Sequence, residues 1–268
     1  AGHARTLPPY TLLGSSSRTV VIATDIQSHA DHQWAQANAC TLTSTEFLMT
    51  RATMGKKADV TRLKLLEMLS LIAEDANTDA LDAIFRQEPK LSYSLLRLVN
   101  SAANAPRSPI ASFSQAINLL GRRQLQRWLQ LLVYADPNNG QQPNPLLQKA
   151  AARGRLMELL SSNLSAETGI EHLGDAAFMV GSFSLLDVLL NMSIGEILQQ
   201  LSLPDSVTQA LLTHSGVLGE LLRLITAAES RDYPAAAKQL ESLPFNGNDY
   251  VDAQLQALNW AAKINPVA

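Results

Sequence analysis

The sequence predicts a mainly α-helical protein, and three observations carry that prediction. Hydrophobic residues make up 46% of the 268 residues and aromatics only 5%. With Leu and Ala dominating, that balance favours helix packed on helix over a β-branched, aromatic-rich sheet. From residue 59 onward apolar residues recur at helical spacing through most of the chain. A single cysteine, Cys40, excludes an internal disulfide and a cysteine-rich zinc site, and the length supplies a core without such staples.

Taken in order, residues 1–18 mix Pro, Gly and Ser without a period and read as an irregular lead-in. Val20 to Ala23 reads as a short strand, and the run after Ser28 as a helix capped by that serine. Cys40 to Leu42 and Glu46 to Met49 are candidate short strands. Residues 19–55 thus form a β-α-β-like piece too small to bury its own apolar faces. Asp59 to Ala73 and Thr78 to Phe85 follow as amphipathic helices. Leu91, Leu95, Leu98 and Ala102 then share one helix face, with Tyr93, Arg97, Asn100 and Asn104 opposite.

Gly121 separates a short helix, Gln115 to Leu120, from a longer one. On the latter Leu125, Trp128, Leu129 and Leu132 point inward while Arg123, Arg127 and Gln130 point to solvent. The turn formers of 136–145 mark a linker between subdomains of about 56–136 and 145–268. Seven helices are expected beyond it: Pro145 to Leu164, Leu173 to Leu190, Ile194 to Leu201, Asp205 to Thr213, Val217 to Glu229, Tyr233 to Leu243 and Asp249 to Ile264. Leu173 to Leu190, apolar nearly all round, is the expected central buried helix. In the last helix Val251, Leu255, Leu258 and Ala262 form one stripe. No apolar run reads as long enough to cross a bilayer, and no basic-then-apolar leader opens the chain, so a cytoplasmic location is expected.

The net charge of −3 hides an uneven distribution. Between Lys90 and Ala135 lie six cations, Lys90, Arg97, Arg107, Arg122, Arg123 and Arg127, and no acid, which leaves −9 for the remainder. Arg97, Arg107, Arg122, Arg123 and Arg127 are therefore the candidate residues for contacting an acidic protein surface or a phosphate-bearing ligand. The competing reading is a solvated face, or pairing with the acidic remainder. Nucleic acid is disfavoured because aromatics for stacking are scarce nearby: Tyr93 alone points outward, and the period sends Trp128 to the core.

The stretch LSYSLLRLVNSAANAPRSPIASFSQAINLLGRRQLQRWLQLLV resembles the signature region of the HDOD domain, an all-helical relative of the HD metal-dependent phosphohydrolases. AAFMVGSFSLLDVLLNMSIGEILQQLSLPDSVTQALL resembles the second half of that domain, in the version found in bacterial proteins joining an EAL domain to an HDOD domain. Together the resemblance spans about residues 57–265. It implies a multi-helical HDOD-type bundle over 56–268 that acts in signal transduction through other signalling proteins. Residues 19–55 resemble the tail of an EAL-type barrel, with Asp25 and Gln27 where that family has a metal-associated lysine and a glutamate, and Thr43 and Ser44 near its Gln-Gly pair. A whole barrel takes about 250 residues, so a vestige is expected, without hydrolysis of cyclic di-GMP by the barrel mechanism.

HD hydrolysis uses a His, an adjacent His-Asp pair and a distant Asp to hold metals that activate water. The resemblance puts Ser184 and Leu185 at the His-Asp pair and Arg153 near the earlier His. It therefore implies a regulatory module that is not an enzyme and takes no cofactor or metal. Two alternatives stay open. One is a nucleotide or second-messenger receptor built on the arginines. The other is a residual phosphohydrolase using His172, Asp175, Asp187 and His214. His29 and His32, at i and i+3, have no third ligand nearby and read as helix surface. Cys40 reads as a small core residue.

Overall fold

The computed structural model describes residues 20–38, 40, 42–44, 95–97, 99–100, 109–134, 145–164, 168–201 and 203–264. The chain divides into two compact units, 1–55 and 56–268.

In the first unit, strand β1 (Ile22–Ala23) pairs in parallel with β2 (Leu42–Thr43), Ile22 opposite Leu42 and Ala23 opposite Thr43. Helix α1 (His29–Ala37) makes the crossover, as a parallel pair requires. Ser28 caps α1 by accepting from the Asp31 N–H, and the Asp31 carboxylate accepts in return from the Ser28 hydroxyl and the Gln27 N–H. Ile26, Ala35 and Cys40 are buried together, with Val21, Ala23 and Trp34 packed around them, so Cys40 is a core residue. The expected strand at Glu46 to Met49 and the helices at Asp59 to Ala73 and Thr78 to Phe85 lie outside the described residues.

The second unit is built from helices. Leu95 and Val99 are buried, but Asn100 is not the solvent residue its spacing predicts. Its amide donates to the Ile110 carbonyl at 2.8 Å and its oxygen accepts from the Ile110 N–H at 2.7 Å, fixing the approach to the next helix. That helix, α2 (Phe113–Leu132), is capped by Ser112 and kinked at Gly121, whose φ of 73° and ψ of 164° break the helical path where the sequence places the break. After the kink Leu125, Trp128, Leu129 and Leu132 are buried as expected. Gln130, expected outside, is buried too, because the helix is covered on more than one side.

Beyond the linker, which is outside the described residues, come α3 (Pro145–Ser161), α4 (Leu173–Phe183), α5 (Leu186–Leu190), α6 (Ile194–Leu198), α7 (Asp205–Thr213), α8 (Gly216–Glu229), α9 (Tyr233–Glu241) and α10 (Gly247–Ala262). α4 is the hub and packs on α2, α3, α7 and α8, while α10 lies along α3. The single helix expected over Leu173 to Leu190 is two, broken at Ser184 and Leu185, where the Ser184 hydroxyl turns back to the Gly181 carbonyl. This 18-residue window does have the length and apolarity of a membrane span, contrary to the expectation, but most of it is buried within the bundle.

α3 and α4 cross with their backbones nearly touching. A Cβ on Gly181 would sit 2.7 Å from the Arg153 carbonyl oxygen, and one on Gly154 would sit 3.1 Å from the Phe178 carbonyl oxygen. At Gly181 only glycine allows that approach, and at Gly154 a side chain would force its neighbour to give. An aromatic cluster closes the other side: Trp260 of α10 lies 6.0 Å from Trp128 of α2 and meets Phe178 of α4 edge-on, also at 6.0 Å. The apolar stripe Val251, Leu255, Leu258 and Ala262 is the exposed face of α10. The buried face is Tyr250, Ala253, Ala257 and Ala261, because small side chains let α10 lie close against α3.

Candidate functional site

The second half of α2 and the start of α4 border an open cleft of about 410 Å³, lined by Leu120, Arg123, Gln124, Arg127, His172, Leu173, Gly174 and Asp175. Two of the predicted arginines, one turn apart on α2, reach it. Arg123, with a side chain 64% exposed, donates to His172 Nε2 at 2.7 Å and stands 3.9 Å from Asp175. By accepting, Nε2 is the unprotonated ring nitrogen. His172 precedes α4 in the left-handed region, at φ 51°, and offers no side-chain cap. The helix start therefore faces the cleft with its positive dipole end.

Arg127 corrects the expectation of a solvent-facing cation. Its side chain is only 22% exposed. It binds Asp175 at 2.6 Å and Glu158 at 2.5 Å, with its guanidinium carbon 5.6 Å from the centre of the Phe178 ring. Glu158 is shared with Arg155 at 2.6 Å. Arg127 therefore joins α2, α3 and α4, and its charge is answered inside the protein. Helical spacing gave its direction on α2 but not the acids that meet it 31 and 48 residues later. Arg97 is exposed and engaged within the protein. Arg107 lies outside the described residues, as does the side chain of Arg122.

A second polar cluster occupies the positions that the HD resemblance assigns to metal ligands. Arg153, with a side chain 2% exposed, donates to the Ser184 hydroxyl at 2.7 Å and binds Glu229 of α8 at 2.5 Å, and Lys149 joins Glu229 at 3.1 Å. Burial pushes the Glu229 carboxyl up, but the charge and hydrogen bonds of Arg153, aided by Lys149, more than reverse this and leave it below its ordinary 4.5. Next to this cluster the buried Tyr134 hydroxyl donates to the Ser182 carbonyl at 2.5 Å. Its pKa is pushed well up, chiefly by burial.

These residues do not fit an HD metal centre, since a guanidinium and a hydroxyl stand where imidazoles would have to be. Among the described residues, no three His, Cys, Asp or Glu side chains converge as a metal-binding group. The alternative set is split accordingly: His172 and Asp175 hold the arginines of the cleft, while His214 caps the end of α7. Sequence reasoning saw Arg153 only as a misfit. Glu229, its counter-charge 76 residues away, carried no local signal.

Comparison with known proteins gives the family of this region. Residues 57–149 match the HDOD domain family. The chain is 32% identical over 184 residues, 69% of its length, to the cyclic di-GMP phosphodiesterase CdgJ of Vibrio cholerae serotype O1, covering 41% of that protein. It is 30% identical over 199 residues, 74% of its length, to the uncharacterized protein YuxH of Bacillus subtilis strain 168, covering 46% of it. The chain thus spans less than half the length of each of these relatives. No solved structure matches it significantly. The first relative overturns the expectation that the chain is not an enzyme, because its name is that of an enzyme. Losing the HD ligands closes one metal-dependent route at one set of positions and says nothing of other chemistry in the protein. Residues 57–149, at the start of the mainly helical unit, are thus similar to the HDOD domain family.

Proposed function

We propose that the helical unit is the regulatory module of a cyclic di-GMP signalling protein and works through protein contacts made at the Arg123 cleft. One observation carries the reading: Arg123 projects into solvent from a cluster whose other arginines, Arg127 and Arg155, are each bound to acids of the same bundle. A cation held at a cleft mouth by His172 is placed for an acidic group on a partner. The HDOD match and the signalling name of one relative support the same reading. Residues 19–55 we read as a remnant of an EAL-type barrel. A parallel β-α-β unit is the repeat of such barrels, which supports this.

Affinity capture from source cells, run in parallel with wild-type protein and the Arg123→Glu variant, tests the assignment. A partner retained by the first and lost by the second is expected; identical captures overturn it. The uncapped start of α4 beside Arg123 favours a second reading, in which a phosphate-bearing second messenger occupies the cleft. Calorimetry with cyclic di-GMP decides that reading: binding abolished by Arg123→Glu supports it, and absence of heat rejects it.

A further inference from the structure

Helix α10 presents an apolar seam to solvent. Val251, Leu255 and Leu258 are 49%, 62% and 52% exposed, and Ala262 extends the line. Their spacing of four, three and four residues is that of a coiled-coil seam. Four such residues on one side of a 16-residue helix span about 17 Å at 1.5 Å per residue. The opposite side of α10 is committed to α3, so the seam is not the helix's own core contact.

The charges beside the seam indicate what covers it. Asp252 and Lys263 are both exposed and lie eleven residues apart, close to three turns, so they flank the seam on the same side at opposite ends. Two copies of α10 laid antiparallel about an axis between Leu255 and Leu258 bring like flanks together with their ends reversed. Asp252 of each copy then meets Lys263 of the other, and the helix dipoles oppose. A parallel pair would set this flank against the other one, which carries Gln254 and Ala261 and has no charge to answer it.

From this self-complementarity we infer that α10 is a homodimerisation helix, pairing antiparallel with a second copy of the chain through Val251, Leu255, Leu258 and Ala262. One helix pair lies at the small end of interfaces, about 1,200 Å² or less in total, so the dimer depends on concentration.

Sedimentation velocity of the whole chain over a concentration series tests this. Wild type is expected to pass from monomer to dimer, and the Leu255→Glu, Leu258→Glu variant to stay monomeric. Because both positions are exposed, that variant should retain its thermal midpoint. If it unfolds, the charge reversals decide alone. Asp252→Lys or Lys263→Asp is expected to weaken the dimer about tenfold, and the double reversal to restore it. A wild type that stays monomeric at every soluble concentration overturns the inference and leaves the seam to another protein. A dimer indifferent to these substitutions overturns it as well.

Discussion

Arg153 carries the sharpest residue-scale consequence of the structure. Its guanidinium is buried with Glu229 and Ser184 as partners, so removing it takes away the buried counter-charge of Glu229 and leaves the carboxylate only the more exposed Lys149. Arg153→Leu is expected to cost about 3–5 kcal/mol, whereas Arg153→Leu combined with Glu229→Leu should recover most of the loss, because paired buried charges gain little over apolar packing. Urea unfolding of the three proteins measures both. Tyr250 offers the opposite case. Its buried hydroxyl has no hydrogen-bond partner among the described residues, and its pKa is pushed up to about 12, mainly by burial. Tyr250→Phe is therefore expected to change stability by less than about 0.5 kcal/mol, or to raise it.

Helix boundaries were readable from sequence wherever a side chain marks them. Ser28, the Ser193–Glu196 box and the Asn246–Asp249 box each satisfy first-turn N–H groups, and the helices begin beside them. Gly121 was equally readable, because its conformation belongs to glycine. Gly121→Ala is expected to lose about 1–3 kcal/mol, read from the same unfolding curves. Facing was readable only where one side of a helix is plainly more apolar. On α10 the stripe of larger side chains, Val251, Leu255 and Leu258, lies outside, while the bundle takes up the alanines that permit close approach to α3. The cleft was half readable. Spacing located Arg123 and Arg127 on one helix, but which of them is neutralised depends on Asp175 and Glu158, which only the folded chain brings near. The break at Ser184 left little signal, because apolar residues dominate on both sides of it.

At the scale of the whole molecule, two titrations among the described residues contribute to the response to acid. His214 ends α7 with its pKa held below 6.5, first by burial and then by the charge of Arg223. Its folded form favours the neutral ring, so its contribution is complete above 6.5 and declines as pH falls through the depressed folded value. Glu229 acts lower. Its contribution is complete above 4.5 and is lost as pH falls through its still lower folded value. Thermal midpoints followed into acid should therefore drop in two stages. His214→Asn, which suits the left-handed backbone there, should remove the first stage, and Glu229→Gln the second. The uneven charge of the sequence also resolves at this scale, since Arg127 spends its charge on Asp175 and Glu158 and leaves Arg123 facing outward.

The glycine crossing of α3 and α4 bears on how a regulatory signal would travel. Helices joined through side chains can slip by exchanging rotamers, but at Gly181 the main chain of α4 meets that of α3 with no side chain between them. The two helices therefore form a strut. A displacement of α4 would carry α3 with it, and with that pair the helices packed on them, α8 and α10.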